Sequence, residues 1–178
     1  MAAGKHVLYF ALLPPSDVGR AAQELLRTLR PRPSARPVPA GRLHVSLNAL
    51  GAFQRPPGPV VDKAADVAAE VRAPRFTVAF NRAGAWSRGD NPCVAAWGDE
   101  GVIGVNQLYA TIHDALARRG MVPRRPTEIV PHMTLVYDPA KVPETIIAPL
   151  AWNVAEFVLI HAVHGEGRFD VAARFPLG

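Results

Sequence analysis

Apolar and polar residues alternate from Arg42 to Leu50 and again around His132 to Tyr137, with the period of two expected of a half-buried strand. In the first stretch Leu43, Val45 and Leu47 fall on one face, so His44, Ser46 and Asn48 share the other. In the second, within a strand predicted over Glu128–Tyr137, His132 and Thr134 share a face in the same way. Elsewhere the spacing turns helical. Val18, Ala21, Ala22, Leu25, Leu26 and Leu29 predict a helix capped by Ser16 or Asp17 and ending before Pro31. Further helices are predicted near Val60–Val71 and over Val102–Arg119, the latter with Val105, Leu108, Ile112, Ala115 and Leu116 on one stripe and Gly120 as its stop. Strands are predicted at Lys5–Leu13, Phe76–Phe80 and Cys93–Trp97, the last two joined by the loop Gly84–Pro92. A closing hairpin pairs Val154–Val163 with Phe169–Phe175 around Gly165-Glu166-Gly167. The proline-rich stretch Pro31–Ala40 reads as an extended surface loop, and Gly51–Pro59 as a turn-rich one.

The predicted order is therefore β-α-β-α-β-β-α-β-β-β. No glycine-rich phosphate loop follows a strand and opens a helix, which argues against a doubly wound nucleotide fold. An α+β protein with antiparallel sheets is the better fit. A chain of 178 residues can form one domain or two small lobes, and 49% hydrophobic residues argue against disorder. The apolar segment Val7–Leu13 is short, has only Lys5 before it and runs into Pro14-Pro15 without a small-residue cleavage site. It is expected to be a strand rather than a signal segment, and no apolar run approaches a membrane span. A cytoplasmic monomer with no membrane partner is expected.

The two alternating stretches carry one pattern twice. His44-Val45-Ser46-Leu47 and His132-Met133-Thr134-Leu135 each read histidine, apolar, hydroxyl, leucine, with one copy in each half of the chain. Composition alone gives each histidine a chance of roughly 0.005 of such a sequel, so two among the six in the chain point to function rather than accident. Two lobes flanking a cleft would bring the two copies together. Two imidazoles and two hydroxyls around one point suit metal-free cleavage of a phosphodiester. One neutral imidazole takes a proton from water while a charged one gives a proton to the leaving oxygen, and the hydroxyls of Ser46 and Thr134 donate to the non-bridging oxygens. A metal site would want a third ligand, and neither copy has a carboxylate or cysteine close by; His161 and His164 are the remaining candidates for such a role.

Charge sharpens the expectation of an anionic partner. The formal net charge is +5, and arginine supplies 17 of the 20 basic residues. Its planar fork matches phosphate oxygens. Arg27, Arg30, Arg32, Arg36 and Arg42 lead into the first copy, and Arg118, Arg119, Arg124 and Arg125 into the second. Arg42, Arg124 and Arg125 are candidates for a phosphate-steering rim. Tyr137, Phe53 and Trp86 are aromatics able to stack on a base. The lone cysteine, Cys93, lies in an apolar run, which fits a buried spectator thiol.

At the duplicated motif the chain resembles the 2H phosphoesterase superfamily, in particular its bacterial 2′-5′ RNA ligase and RNA 2′,3′-cyclic phosphodiesterase (LigT-like) branch. The similarity runs through Leu8-Tyr9-Phe10-Ala11-Leu12-Leu13-Pro14, the first motif with Leu50-Gly51-Ala52-Phe53, Pro131 with the second motif, Trp152–Leu159 and the final Phe175-Pro176-Leu177. The resemblance implies one domain, residues 1–178, of two similar lobes. These form a bilobal, pseudo-twofold α+β arrangement of two antiparallel sheets with outer helices flanking a central cleft. It implies a metal-independent enzyme, without cofactor, that hydrolyses 2′,3′-cyclic phosphates on RNA ends or nucleotides to 2′-phosphates; some relatives also join RNA ends reversibly through a 2′-5′ linkage. His44 and His132 become the catalytic pair, with His132 activating water and His44 protonating the ribose 3′ oxygen by analogy. Ser46 and Thr134 bind phosphate. Two departures stand out: Ser46 replaces the commoner threonine, and Tyr137 stands where many relatives carry arginine. A non-catalytic nucleotide- or RNA-binding module using the same cleft is the alternative reading.

Overall fold

The computed structural model describes residues 5–29, 32, 34–86, 93–137 and 142–178. Its elements are β1 (Lys5–Leu12), α1 (Ser16–Leu29), β2 (Arg36–Pro37), β3 (Val45–Phe53), α2 (Gly58–Ala69), β4 (Phe76–Trp86), β5 (Cys93–Trp97), α3 (Ile103–Arg118), β6 (His132–Tyr137), β7 (Thr145–Val154), β8 (Glu156–His164) and β9 (Arg168–Pro176). The α+β expectation holds, and all strand pairs are antiparallel.

The expectation of two sheets does not hold. The strands form one main sheet in the order β7-β4-β5-β6-β3-β1-β8-β9, with the short β2 added along β6. The halves meet where Val45 of β3 pairs with Met133 of β6. Their cores are also continuous, because the helices cross over. α1, which links β1 to β3, packs on β6 and β7, while α3, which links β5 to β6, packs on β3 and β4. Val18, Ala22 and Leu26 of α1, Ala64 and Val67 of α2, and Leu108, Ile112 and Leu116 of α3 join Phe10, Val45, Phe80, Met133, Phe157 and Leu159 in a single buried cluster. Separating the halves into two sheets would expose that shared apolar surface, at about 25 cal/mol per Å².

Several element bounds also shift. β7 was not expected as a strand; Pro149 stands inside it, just before the alternating buried Leu150, Trp152 and Val154. The proline is tolerated because β7 is an edge strand that pairs only with β4. β4 continues to Trp86, into the expected loop Gly84–Pro92, whose residues 87–92 lie outside the described residues, as does Arg30. Helix α1 starts at Ser16 itself, and β6 starts at His132 rather than Glu128. The closing hairpin turns through Gly165 and Gly167, both at positive φ (92° and 68°), where a side chain would strain the backbone.

One irregularity matters for the site. Tyr9 pairs with Ala49 but Ala11 pairs with Ser46, so β3 carries one extra residue between them, a β-bulge. The bulge breaks the alternation after Leu47. Asn48 is therefore buried, and its Nδ2 donates to the Tyr109 carbonyl of α3 at 3.3 Å instead of sharing a face with His44 and Ser46.

Candidate active site

Val45 and Met133 are fully buried on the helix side of the sheet, so their neighbours face the opposite way. Continuing the antiparallel register one residue each way from the Val45–Met133 pair sets His44 across from Thr134 and Ser46 across from His132. The four motif side chains thus form one diagonal set on the face away from the helices. His44, His132 and Thr134 are half-buried and Ser46 is exposed, so solvent reaches the group.

Each imidazole is held in the same way. Nδ1 of His44 lies 2.8 Å from the Arg42 carbonyl, and Nδ1 of His132 lies 2.8 Å from the Val130 carbonyl, in both cases two residues upstream. A carbonyl can only accept, so both Nδ1 atoms carry a proton and donate it. In the neutral rings Nε2 then holds the free lone pair, which is the atom a proton-transfer step would use.

The walls around the two rings differ. The His44 ring lies between Tyr9 and Phe169, at centroid distances of 5.3 and 5.4 Å. The Arg42 guanidinium sits 5.6 Å above the same Phe169 ring. His132 stacks on Trp86 at 4.5 Å and 25°, and Trp97 backs that indole at 5.3 Å. Tyr9, Phe169 and Trp97 were not singled out from the sequence. Tyr9 and Phe169 join the small apolar cluster of Ala11, Val158, Ile160 and Ala162 on the motif face of β1, β8 and β9. Burial raises the Tyr9 phenol well above the usual tyrosine range, with the Tyr137 phenol adding to the rise and the Arg42 charge opposing it.

Other candidates scatter. Tyr137 is half-exposed at 51%, while Arg124 and Arg125 are exposed in the turn after α3. Phe53 pairs with His6 at the far end of β3 and packs against the helix-side core. Nε2 of His161 lies 2.9 Å from Nδ1 of His6, and His161 stands opposite Leu8 in the pairing of β1 and β8. Cys93 is buried as expected, yet its Sγ lies 3.9 Å from the Thr134 Oγ1. Burial pushes this thiol up, which keeps it protonated. Among the described residues no three histidine, cysteine or acidic side chains converge as metal ligands, and no helix is long and apolar enough to cross a membrane.

Burial is the largest influence on both motif histidines, because it disfavours the charged ring and lowers each below the usual 6.5. The carbonyl bonds oppose this. At His44 positive charge on His132 and Arg42 lowers it further. An unfolded chain, whose imidazoles titrate normally, then binds more protons, so this contribution to stability is present above about pH 6.5 and is lost as pH falls through the folded values. NMR titration of the two ring C–H resonances, assigned by substitution, is expected to give midpoints below 6.5 that rise when inorganic phosphate is added. Midpoints at or above 6.5 in the free protein would contradict this account.

No protein-family model matches the sequence, and no curated protein does. Solved structures do match. A phosphoesterase crystal structure is 26% identical over 97% of this chain and 96% of its own, with a TM-score of 0.73. Escherichia coli LigT in its apo form is 26% identical over 98% of both chains, with a TM-score of 0.72, and its complex with 3′-AMP gives 26%, 98% of both and 0.71. From the first strand to the last, the chain has the 2H phosphoesterase fold, the fold of LigT.

Proposed function

We propose that this protein is a metal-independent cyclic phosphodiesterase that opens 2′,3′-cyclic phosphates of nucleotides or RNA ends to 2′-phosphates. The observation that carries this reading is the Val45–Met133 pair, which sets both histidines on one solvent-reached face with each Nδ1 tied to a carbonyl. In the reaction one neutral Nε2 takes a proton from water as its oxygen attacks phosphorus. The bond from phosphorus to the ribose 3′ oxygen breaks, and the other ring, starting as imidazolium, gives that oxygen its proton. Ser46 and Thr134 donate to the non-bridging oxygens, whose charge grows in the transition state. With the 5′ hydroxyl of a second RNA end in place of water, the same steps would join ends through a 2′-5′ linkage: its oxygen attacks phosphorus, one imidazole takes its proton, and the departing ribose 3′ oxygen receives a proton from the other. LigT structures have been solved with 3′-AMP and with phosphate, which supports a nucleotide phosphate as the ligand class.

The test is incubation with 2′,3′-cyclic AMP in EDTA, with products separated by chromatography. The expected product is 2′-AMP, formed at the same rate with and without chelator. Exclusive 3′-AMP, or loss of activity in EDTA, would refute the proposal. Binding of AMP without turnover would favour the module that only binds.

A further inference from the structure

The four motif groups hold no permanent positive charge. Two are hydroxyls, and the two imidazoles sit in surroundings that favour their neutral form. A phosphodiester anion drawn to this face needs a fixed cation nearby. Among the described arginines only Arg42 and Arg82 are half-buried. Arg82 is compensated twice, by Asp99 at 3.0 Å and Glu144 at 2.6 Å. Arg42 forms no ion pair with a described carboxylate. What it has instead is the face of Phe169, whose ring also touches His44. A half-buried guanidinium with no counter-ion among the described residues, sharing one aromatic platform with a motif histidine, is a site completed by an anion.

Resting on the phosphodiesterase reading above, we propose that Arg42 is a direct ligand of the reacting phosphoryl group. Its planar fork binds the non-bridging oxygens from the His44 side. The lowering of His44 and Tyr9 by the Arg42 charge agrees with this proximity. The residue thus acts through two separate parts: its carbonyl fixes the His44 ring, and its guanidinium receives the substrate. Because the carbonyl belongs to the backbone, replacing the side chain leaves the histidine anchor in place. The two contributions can therefore be told apart.

The experiment compares wild type, Arg42→Gln and Arg42→Lys by calorimetric binding of inorganic phosphate and by KM for 2′,3′-cyclic AMP, with thermal midpoints as a folding control. Arg42→Gln is expected to weaken phosphate binding and raise KM by about ten- to a hundredfold, the range of a lost charged hydrogen bond. Arg42→Lys, which keeps the charge and loses the fork, should fall between the two. Unchanged phosphate affinity and KM in Arg42→Gln would overturn the proposal, and so would a lower thermal midpoint with unchanged affinity, which marks a packing role. A defect confined to a dinucleotide carrying an upstream phosphate would overturn it in favour of a contact outside the reacting group. If wild type binds phosphate but never hydrolyses the cyclic nucleotide, the enzymatic reading falls, and the calorimetric comparison alone still decides for or against Arg42 as the phosphate ligand.

Discussion

His44→Ala and His132→Ala are each expected to lower turnover of 2′,3′-cyclic AMP by about 10²–10⁴, the usual worth of one general acid or base step. The two changes should not multiply. Proton removal from water and proton delivery to the ribose oxygen belong to one displacement, so losing either disables the same step, and the double variant should be little worse than the poorer single one. Both rings are half-buried at the edge of the small apolar cluster of Tyr9 and Phe169 or against Trp86, not in the main core. Removing them is therefore expected to leave the fold intact. Single-turnover rates with thermal midpoints for the three variants would check this. Near-normal turnover in either single variant would remove the two-histidine mechanism.

Phe157→Ala is expected to cost about 3–5 kcal/mol of stability, the range for truncating a buried phenylalanine. Phe157 is fully buried, its ring 5.0 Å from Phe175 in a stacked pair and 5.8 Å from Phe10 in a tilted one. These three rings hold β1, β8 and β9 together beneath the helices, and the cavity left by alanine has backbone strands on its sides that cannot collapse into it. Against a total of about 5–15 kcal/mol for ordinary domains, that loss is large. For a chain of this length it corresponds to roughly 6–20 °C in the thermal midpoint. The folded fraction should still turn over substrate normally, since Phe157 lies on the face opposite the motif histidines. Calorimetry and activity per folded molecule together test the separation of the two faces. A midpoint unchanged within 1–2 °C, on the scale of about 2–4 °C per kcal/mol, would show that the ring packs less tightly than its burial implies.

The two motif strands were legible because a period of two, a histidine and a hydroxyl coincide within four residues, and that coincidence occurs twice. The helices were legible for a similar reason, since the stripe Val105-Leu108-Ile112-Leu116 is buried as a unit in α3. What the pattern could not express was non-local. The bulge that turns Asn48 inward depends on the pairing of β1 with β3, and the joining of both halves into one sheet depends on helices that cover each other's strands. Strand β7 was hidden by Pro149, whose acceptability depends on an edge position that no local window reveals. Within the site, His44, Ser46, His132 and Thr134 were found by type and spacing. Tyr9, Phe169 and Trp97 were not, because aromatics at ordinary strand positions carry no local mark of what they will face.

The oxygen that fixes each imidazole comes from the peptide chain, and this has an evolutionary consequence. Two places before the first histidine stands an arginine and two places before the second a valine, yet both positions deliver the same carbonyl at the same 2.8 Å. Mutation at either place can alter the side chain without touching the tether, as long as the backbone path survives. The valine position is thus free to diversify beside otherwise inflexible chemistry, whereas a change at the arginine keeps the tether and gives up the phosphate contact.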